Sequence, residues 1–544
     1  MPRLTTDFDA EYRAAMAPYW PDRTVLDHLD SELAARPDHP ALIGHVQATG
    51  SRHAMTRAEL AERVDRIAAG LLDLGVQPGQ VVSAQLPNWW QLVALNLACL
   101  RVGAVTNALM PVFRARELEF MLGLAESVLF VIPEEFNGFD YAAMAADLRP
   151  RLPALEHVIT VHPDGGDEFE KLLLARPAGE ADRAEFRRRA LTPDDVCQLA
   201  YTSGTTGEPK GVMLTANTVL CNVRDYADRL RLTGDDVVLM SSPLAHQTGS
   251  LYGTTMTVMR GMTLVLQDVW QPERATEIIR DEGVTFSMGA TPFLVDLCAR
   301  AEADPAAFAS LRVFVCGGAP VPRDLVRKAG VAMGAQINSC WGMSEIAAVT
   351  LTGPDDPEDR VFETDGSALP GVELRVLALD GSVAPVGEEG RLQVRACSLF
   401  GGYLKRPDLR GLDADGWFDT GDLARLDVAG YLRITGRSKD LVIRGGENIP
   451  VVEIENLLFG HPDVAEVAVV GMPDPRLGER ICAFVVPRAG TRPTLDDLAA
   501  YLVGRGTTKI YLPERLELVD ALPRTPTGKI QKFRLRELLR RERI

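Results

Sequence analysis

The chain has 544 residues, of which 46% are hydrophobic and 24% charged, so it can bury large cores and is too long for one ordinary domain. Its formal net charge of -17 repels nucleic-acid backbones at long range and argues against nucleic acid as a partner. No stretch reaches the roughly 18 to 20 apolar residues that span a membrane, and acidic residues occupy the N-terminal region where a signal peptide would be apolar. We therefore expect a cytoplasmic protein without stable membrane insertion.

Short apolar runs rich in β-branched residues alternate with helical patterns through most of the chain. The runs predicted as buried strands are 81–86, 127–132, 157–161, 237–243, 262–267, 284–290 and 311–318, and a helix is predicted from about Trp89. Runs of this length, separated by helices, predict an α/β fold with layered, largely parallel sheets.

The pattern changes after about Thr364, where closely spaced strand-like runs predict a β-rich subdomain. The last hundred residues predict a small α+β domain, with helices near 452–459 and 495–503 and strands at 464–472, 481–487 and 515–522. We place the domain boundaries at 1–436, 437–440 and 441–544, because 437–440 is a short polar segment between two strand-like runs.

The eight cysteines are scattered, form no CxxC pair and lie mostly in apolar segments, so we expect reduced and buried thiols. The eight histidines show no HExxH or other paired ligand spacing, so no zinc site is expected.

The strongest local signal is the segment 201–211, YTSGTTGEPKG, which follows a strand-like run. Its glycines let backbone N–H groups approach phosphate oxygens closely, while hydroxyl side chains add donors and Lys210 adds a positive charge. It lacks the GxxxxGK[ST] order of a Walker loop, and a plain surface turn rarely has this composition. The candidate phosphate-binding residues are Thr202, Ser203, Gly204, Thr205, Thr206, Gly207 and Lys210.

This loop resembles the signature of the adenylate-forming superfamily, which includes acyl-CoA synthetases, peptide-synthetase adenylation domains and beetle luciferases. The other motifs of that family follow in order across almost the whole chain. The resemblance implies ATP, Mg²⁺ and CoA as cofactors, an AMP-binding N-terminal domain and a mobile C-terminal lid domain that alternates between positions.

Two further segments then acquire expected roles. In CGGAPV the resemblance assigns Gly317, Gly318, Ala319 and Pro320 to the adenine and acyl sites. In NSCWGMSE it assigns Trp341 to adenine stacking, Ser344 to the α-phosphate and Glu345 to Mg²⁺, with Gly342 and Met343 beside the acyl group. The family's usual Tyr and Thr are replaced here by Trp341 and Ser344.

The remaining roles lie towards the C-terminus. The resemblance assigns Asp422 to the ribose hydroxyls and Arg437 to ribose or phosphate. It assigns Lys529, in a loop restricted by proline and glycine, to adenylate formation. It places a hinge at Lys439 and lets Gly445 and Gly446 border a pantetheine tunnel.

The acyl pocket is expected near PLAHQTG, where His246 would gate the pocket or contact the carboxylate. No acid occurs in 246–249, which argues against amino acid substrates. This segment and two others, FSMGATPF and ETDGSALPG, look most like those of ligases for medium-chain fatty acids and cyclohexanecarboxylate, which would place the protein in fatty acid metabolism.

The implied reaction has two steps: acyl-AMP formation with pyrophosphate release, then transfer of the acyl group to the CoA thiol. One alternative is an adenylating enzyme that passes acyl-AMP to a carrier protein or partner ligase. A second is a non-catalytic nucleotide sensor, although Lys210, Glu345, Asp422, Arg437 and Lys529 are all retained. A homodimer is left open.

Overall fold

The computed structural model describes residues 4–202, 209–318, 321–378, 380–438, 440–444, 447–449, 451–524 and 529–541. Several predicted site residues lie outside the described residues, and their roles stay predictions. They are Ser203, Gly204, Thr205, Thr206, Gly207, Ala319, Pro320, Lys439, Gly445 and Gly446.

The first part of the chain builds two sheets and a short hairpin. Its strands are β1 Pro40–His45, β2 Arg52–Thr56, β3 Val81–Ala84, β4 Val105–Ala108, β5 Leu129–Pro133, β6 Glu135–Phe136, β7 Phe139–Asp140, β8 His157–Val161, β9 Val196–Thr202, β10 Lys210–Thr215, β11 Val237–Met240, β12 Thr263–Gln267, β13 Phe286–Gly289, β14 Val313–Cys316, β15 Gln336–Met343, β16 Ala347–Leu351 and β17 Ser367–Ala368. Each of the strand-like runs predicted in this region contains one of them.

Both sheets are parallel in their centres and antiparallel at an edge. The larger has the order β17-β16-β15-β14-β13-β11-β12-β1-β2, with parallel pairing from β15 to β1. The other has the order β10-β9-β4-β3-β5-β8 and is antiparallel only between β10 and β9. Parallel strands need crossover connections, which explains the helices between them.

These helices cover the sheets. They are α1 Ala10–Met16, α2 Val25–Ala35, α3 Arg57–Asp73, α4 Trp90–Arg101, α5 Ala115–Ala125, α6 Tyr141–Leu148, α7 Glu168–Leu173, α8 Glu180–Arg189, α9 Ala216–Arg229, α10 Met256–Arg260, α11 Pro272–Asp281, α12 Thr291–Ala303, α13 Arg323–Met333 and α14 Glu358–Glu363. A buried π-helical segment, Thr248–Thr255, precedes α10. Helix α4 begins one residue after Trp89, as predicted.

The predicted β-rich subdomain is an antiparallel sheet of β18 Val372–Leu377, β19 Gly390–Ala396, β20 Phe418–Leu426 and β21 Leu432–Arg437, in that order. It joins the α/β layers through Asp365. This carboxylate binds the Arg323 guanidinium at 2.8 Å and accepts a hydrogen bond from the Ile434 N–H at 2.8 Å. Elements up to β21 are called the large domain below.

The small domain comprises β22 Val442–Arg444, β23 Glu447–Ile449, α15 Val451–Phe459, β24 Val464–Asp474, β25 Gly478–Pro487, α16 Leu495–Gly504, β26 Arg515–Leu518 and α17 Lys532–Arg541. Its sheet has the order β23-β22-β25-β24, with β26 parallel to β25. The predicted α+β character is confirmed, and the exact boundaries 1–436, 437–440 and 441–544 stay predictions.

All eight cysteines are free and buried, as predicted. Burial raises the pKa of the Cys197 and Cys316 thiols to about 12, so they stay protonated. Among the described residues, no helix is long and apolar enough to cross a membrane.

The Arg229 guanidinium ties α9 to the edge of the larger sheet. It donates to the Leu351 and Ala368 carbonyls and to the Ser367 hydroxyl, at 2.9 to 3.1 Å. We expect Arg229→Met to lower the free energy of unfolding by about 1–3 kcal/mol, because three acceptors in a partly buried site lose their donor. Urea unfolding, followed by circular dichroism, measures this loss.

The matched control is Arg231→Met. Arg231 pairs with Asp355, but the two side chains are 64% and 75% exposed, so its loss should cost under about 0.5 kcal/mol. Equal effects of the two substitutions would contradict the role given to Arg229.

Candidate active site

A cavity of about 330 Å³ lies between the two domains, at the edge where the parallel strands of the larger sheet end. Ligands of α/β proteins bind at this edge of the sheet. Its lining includes Gly318 after β14, Trp341 and Gly342 on β15, Asp422 on β20, Arg437 on β21, and Lys529 from the small domain. The cavity thus unites residues from five of the predicted segments.

Asp422 is held between two donors. Its carboxylate accepts a hydrogen bond from Trp341 Nε1 at 2.9 Å and another from Arg437 Nε at 2.9 Å. Asp422 and Arg437 also face each other across β20 and β21. Each carboxylate oxygen keeps a second acceptor position, so this frame can still receive the two vicinal hydroxyls of a ribose. The Trp341 indole therefore orients the Asp422 carboxylate through a hydrogen bond, in addition to presenting an aromatic ring to the cavity.

Lys529 reaches across from the small domain to the edge of the larger sheet. A Cβ placed on Gly318, whose φ is +79°, would lie 4.0 Å from Lys529 Cε. Burial lowers the pKa of the Lys529 ammonium, the Arg437 charge lowers it further, and Asp422 and Glu345 oppose the shift. A partly desolvated cation of this kind interacts more strongly with developing negative charge than one in bulk water.

His246 is partly buried near the same cation. Burial lowers the pKa of the His246 imidazole to about 4, and the Lys529 charge contributes to the shift. The ring is therefore neutral at pH 7. Its Nδ1 accepts a hydrogen bond from the Thr248 N–H at 3.2 Å, which assigns the proton to Nε2. His246 can act as a neutral donor and not as a cationic partner of a carboxylate.

Glu345 lies in the turn between β15 and β16, next to Ser344. Its buried carboxylate accepts a hydrogen bond from the Tyr403 hydroxyl at 2.7 Å, and Lys210 Nζ lies 4.7 Å from the centre of the Tyr403 ring. The Ser344 carbonyl accepts from Gln247 Nε2 at 2.9 Å. These contacts connect the predicted phosphate and metal residues.

One buried carboxylate fits Mg²⁺ that is bound mainly through nucleotide phosphates, because this ion typically takes one or two protein carboxylates there. The described part of the chain holds no group of three or more His, Cys, Asp or Glu that could cage a metal. Glu345 would hold the ion, which would neutralise phosphate charge.

Close backbone approach explains two of the predicted glycines. A Cβ on Gly317 would lie 2.4 Å from Cys340 Sγ, and a Cβ on Gly342 would lie 2.0 Å from the Ala347 carbonyl oxygen. The contact at Gly342 is not possible without movement of the backbone, and the contact at Gly317 would displace the Cys340 thiol. Both glycines therefore let β14, β15 and β16 meet at the edge of the cavity.

Some predicted residues do not form the lining of this cavity. Thr202 and Lys210 are register partners where β9 ends and β10 begins, and Met343 ends β15. Sequence analysis missed Tyr403 and Gln247. Gln247 follows His246 directly, and Tyr403 follows a Gly-Gly pair, but neither neighbour indicated the contact.

Family models identify the class of enzyme to which this fold belongs. A family model described as AMP-binding enzyme matches residues 29–404, and one described as AMP-binding enzyme C-terminal domain matches 453–529. The chain belongs to this family of AMP-binding enzymes.

Relatives match almost the full length. The chain is 35% identical to the medium-chain fatty-acid--CoA ligase of Escherichia coli K12, over 99% of this chain and 95% of the relative. It is 37% identical to a salicyl-AMP ligase / salicyl-S-ArCP synthetase of Mycobacterium tuberculosis H37Rv, over 97% and 92%. ATP-bound MatB from Rhodopseudomonas palustris superposes with a TM-score of 0.83 at 30% identity, over 95% of this chain and 98% of that one.

These matches confirm the predicted superfamily, the fold class and the enzyme class, a ligase of the acyl-CoA synthetase type that uses ATP, Mg²⁺ and CoA. The roles of the individual site residues stay predictions.

We expect Trp341→Phe to weaken ATP binding about tenfold, because the ring remains but Asp422 loses a donor that orients it. Isothermal titration with ATP and no acid measures this change. Trp417→Phe is the matched control, since Trp417 stacks against Arg375 at 4.3 Å and is not part of the cavity lining. Equal affinities in the two variants would contradict the orienting role of Trp341.

Proposed function

We propose that this chain activates a medium-chain carboxylic acid as acyl-AMP and then transfers the acyl group to CoA. The observation that supports the assignment of residues is the meeting of Lys529 with Trp341, Asp422 and Arg437 around one cavity. Partial burial of the Lys529 ammonium costs free energy, and the negative charge of a bound phosphate would offset that cost.

In the first step, the carboxylate oxygen attacks the α-phosphorus of ATP and pyrophosphate leaves. Negative charge grows on the phosphoryl oxygens, so donors and cations that are already in place lower the barrier. By this proposal Lys529 stabilises that charge, Ser344, Thr205 and Thr206 donate to phosphate oxygens, and Glu345 holds Mg²⁺.

In the second step, the CoA thiolate attacks the acyl carbonyl and AMP leaves, so a cation beside the α-phosphate has no further task. By this proposal the small domain then turns about Lys439, and Gly445 and Gly446 come to border the pantetheine passage. The turn would also keep water from the reactive anhydride.

The acid we propose is a medium-chain fatty acid or a compact carbocyclic acid. A neutral His246 offers a hydrogen-bond donor and no counter-charge for an α-amine or second carboxylate. The name of the relative in Escherichia coli supports this choice. The name of the mycobacterial relative supports a second candidate function, transfer to a carrier-protein thiol.

We also propose that the enzyme works in the cytoplasm, where ATP and CoA are available and where its eight free cysteines would stay reduced. The proposal needs no oligomer, because one chain contributes all the residues assigned here.

The proposed role of Lys529 predicts a large effect on the first step only. We expect Lys529→Ala to slow acid-dependent exchange of pyrophosphate into ATP by roughly 10²-fold or more, because a cation that meets transition-state charge is lost. Thioester formation from supplied acyl-AMP should fall much less. Lys509→Ala removes an exposed lysine of the same domain and should leave both rates unchanged.

The acceptor is tested in the same assay with a panel of acids. Acyl-CoA formation from ATP, Mg²⁺, CoA and a C6 to C12 acid supports the proposal. AMP release that requires a carrier protein would favour the second candidate, and no exchange with any acid would refute adenylation.

The pH dependence follows from the lowered pKa of Lys529. The charged form of Lys529 is the active one, so the rate of pyrophosphate exchange should be highest below this pKa and fall as the pH rises through it. Because the pKa is lowered, this fall should come at a lower pH than an ordinary lysine would give. In Lys529→Arg the residual exchange should lose this alkaline limb, because arginine stays protonated. An unchanged limb would assign the titration to another group.

A further inference from the structure

A second cavity, of about 410 Å³, lies between the domains beside the candidate active site. It shares Arg323, Arg433, Ile434, Val452 and Asn456 with that site, but Gly318, Trp341, Asp422, Arg437 and Lys529 are not part of its lining. Its lining includes five arginines, Arg323, Arg327, Arg425 and Arg433 from the large domain and Arg505 from the small domain. This concentration of positive charge is unexpected in a chain with a net charge of -17.

Two of these arginines are placed against each other. Arg425 and Arg433 are register partners on β20 and β21, and like charges directly opposite each other destabilise a sheet. Burial lowers the pKa of the Arg433 guanidinium, and the nearby Arg323 charge lowers it further. The closest carboxylate oxygen to Arg425 is that of Glu389 at 3.9 Å, beyond hydrogen-bond distance.

The carboxylates of the cavity do not neutralise these groups. Glu363 and Asp324 both pair with Arg327. Arg433 donates to the Glu363 carbonyl at 3.2 Å, and Arg505 lies over the Tyr501 ring at 4.5 Å. Within the described residues, no carboxylate lies within 4.0 Å of either guanidinium, and Asp365, Glu363 and Glu453 act on Arg433 only from further away.

Two buried polar atoms at the cavity also lack partners. Arg323 Nε and the Thr435 hydroxyl are buried without a hydrogen-bond partner, although two other nitrogens of Arg323 bind Asp365 and the Thr364 carbonyl. Unsatisfied buried donors are costly and rare in native proteins, so this side of the cavity holds polar groups that the protein does not pair internally.

We propose that this interdomain cavity binds a phosphate or pyrophosphate group between Arg433 of the large domain and Arg505 of the small domain. Guanidinium groups bind phosphate oxygens in a bidentate manner, and the described lining residues include no aromatic ring on which a base could stack. The group would come from free pyrophosphate or from the phosphates at the nucleotide end of CoA. A ligand that contacts both domains would favour the arrangement in which Lys529 enters the active site.

The test is isothermal titration of the full chain with its nucleotide site filled by α,β-methylene-ATP. One arm uses inorganic pyrophosphate and the other uses 3′-phosphoadenosine 5′-phosphate. We expect one saturable site for at least one probe, and the arm that binds identifies the source. Arg505→Gln and Arg433→Gln should each weaken this binding roughly tenfold or more, because each removes a charge-assisted contact.

Arg492→Gln is the matched control, since Arg492 is an exposed arginine of the small domain that does not line the cavity. Arg505 is exposed as well, so its substitution should not disturb folding. The absence of saturable binding by both probes, or equal affinity in wild type and Arg505→Gln, would overturn the proposal. Pyrophosphate exchange, measured on the same samples, reports separately on the proposed enzymatic function.

Discussion

The candidate active site depends on one partly desolvated cation, the Lys529 ammonium. Lys529 belongs to the small domain, yet its pKa depends on Arg437, Asp422 and Glu345 of the large domain. Its charge also helps to keep His246 neutral. In water the same ammonium would act weakly on a phosphate, because the high dielectric constant screens it. Docking of the small domain therefore strengthens the cation and adds to the lowering of the His246 pKa that burial already causes.

The large domain supplies the rigid part of this arrangement. Asp422 is held by Trp341 and Arg437, which come from two different sheets and converge at the strand ends. Glycines 317 and 342 permit the close backbone approach that brings these ends together. Rigid strand ends can hold hydrogen-bond donors in place before the substrate arrives, and such preorganisation is the main source of electrostatic catalysis.

Contact between the two domains also has an electrostatic cost, because it brings positive charges together. The domain contact that places Lys529 also brings Arg433 and Arg505 to a common cavity. Arg433 already lies opposite Arg425 in the sheet of the large domain. Positive charge on both sides of an interface opposes closure unless an anion neutralises it. The balance between the two domain arrangements would then respond to phosphate compounds that the reaction itself consumes or releases.

Local periodicity and short motifs predict the strands, the parallel layers, the small α+β domain and several residues that line the cavity. Three features depend instead on how distant segments pack: Tyr403 donates to Glu345, Gln247 donates to the Ser344 carbonyl, and arginines from both domains converge. The first two contacts join residues 58 and 97 positions apart. Packing brings such pairs together, and the hydrophobic pattern of a single segment carries no record of its distant partner.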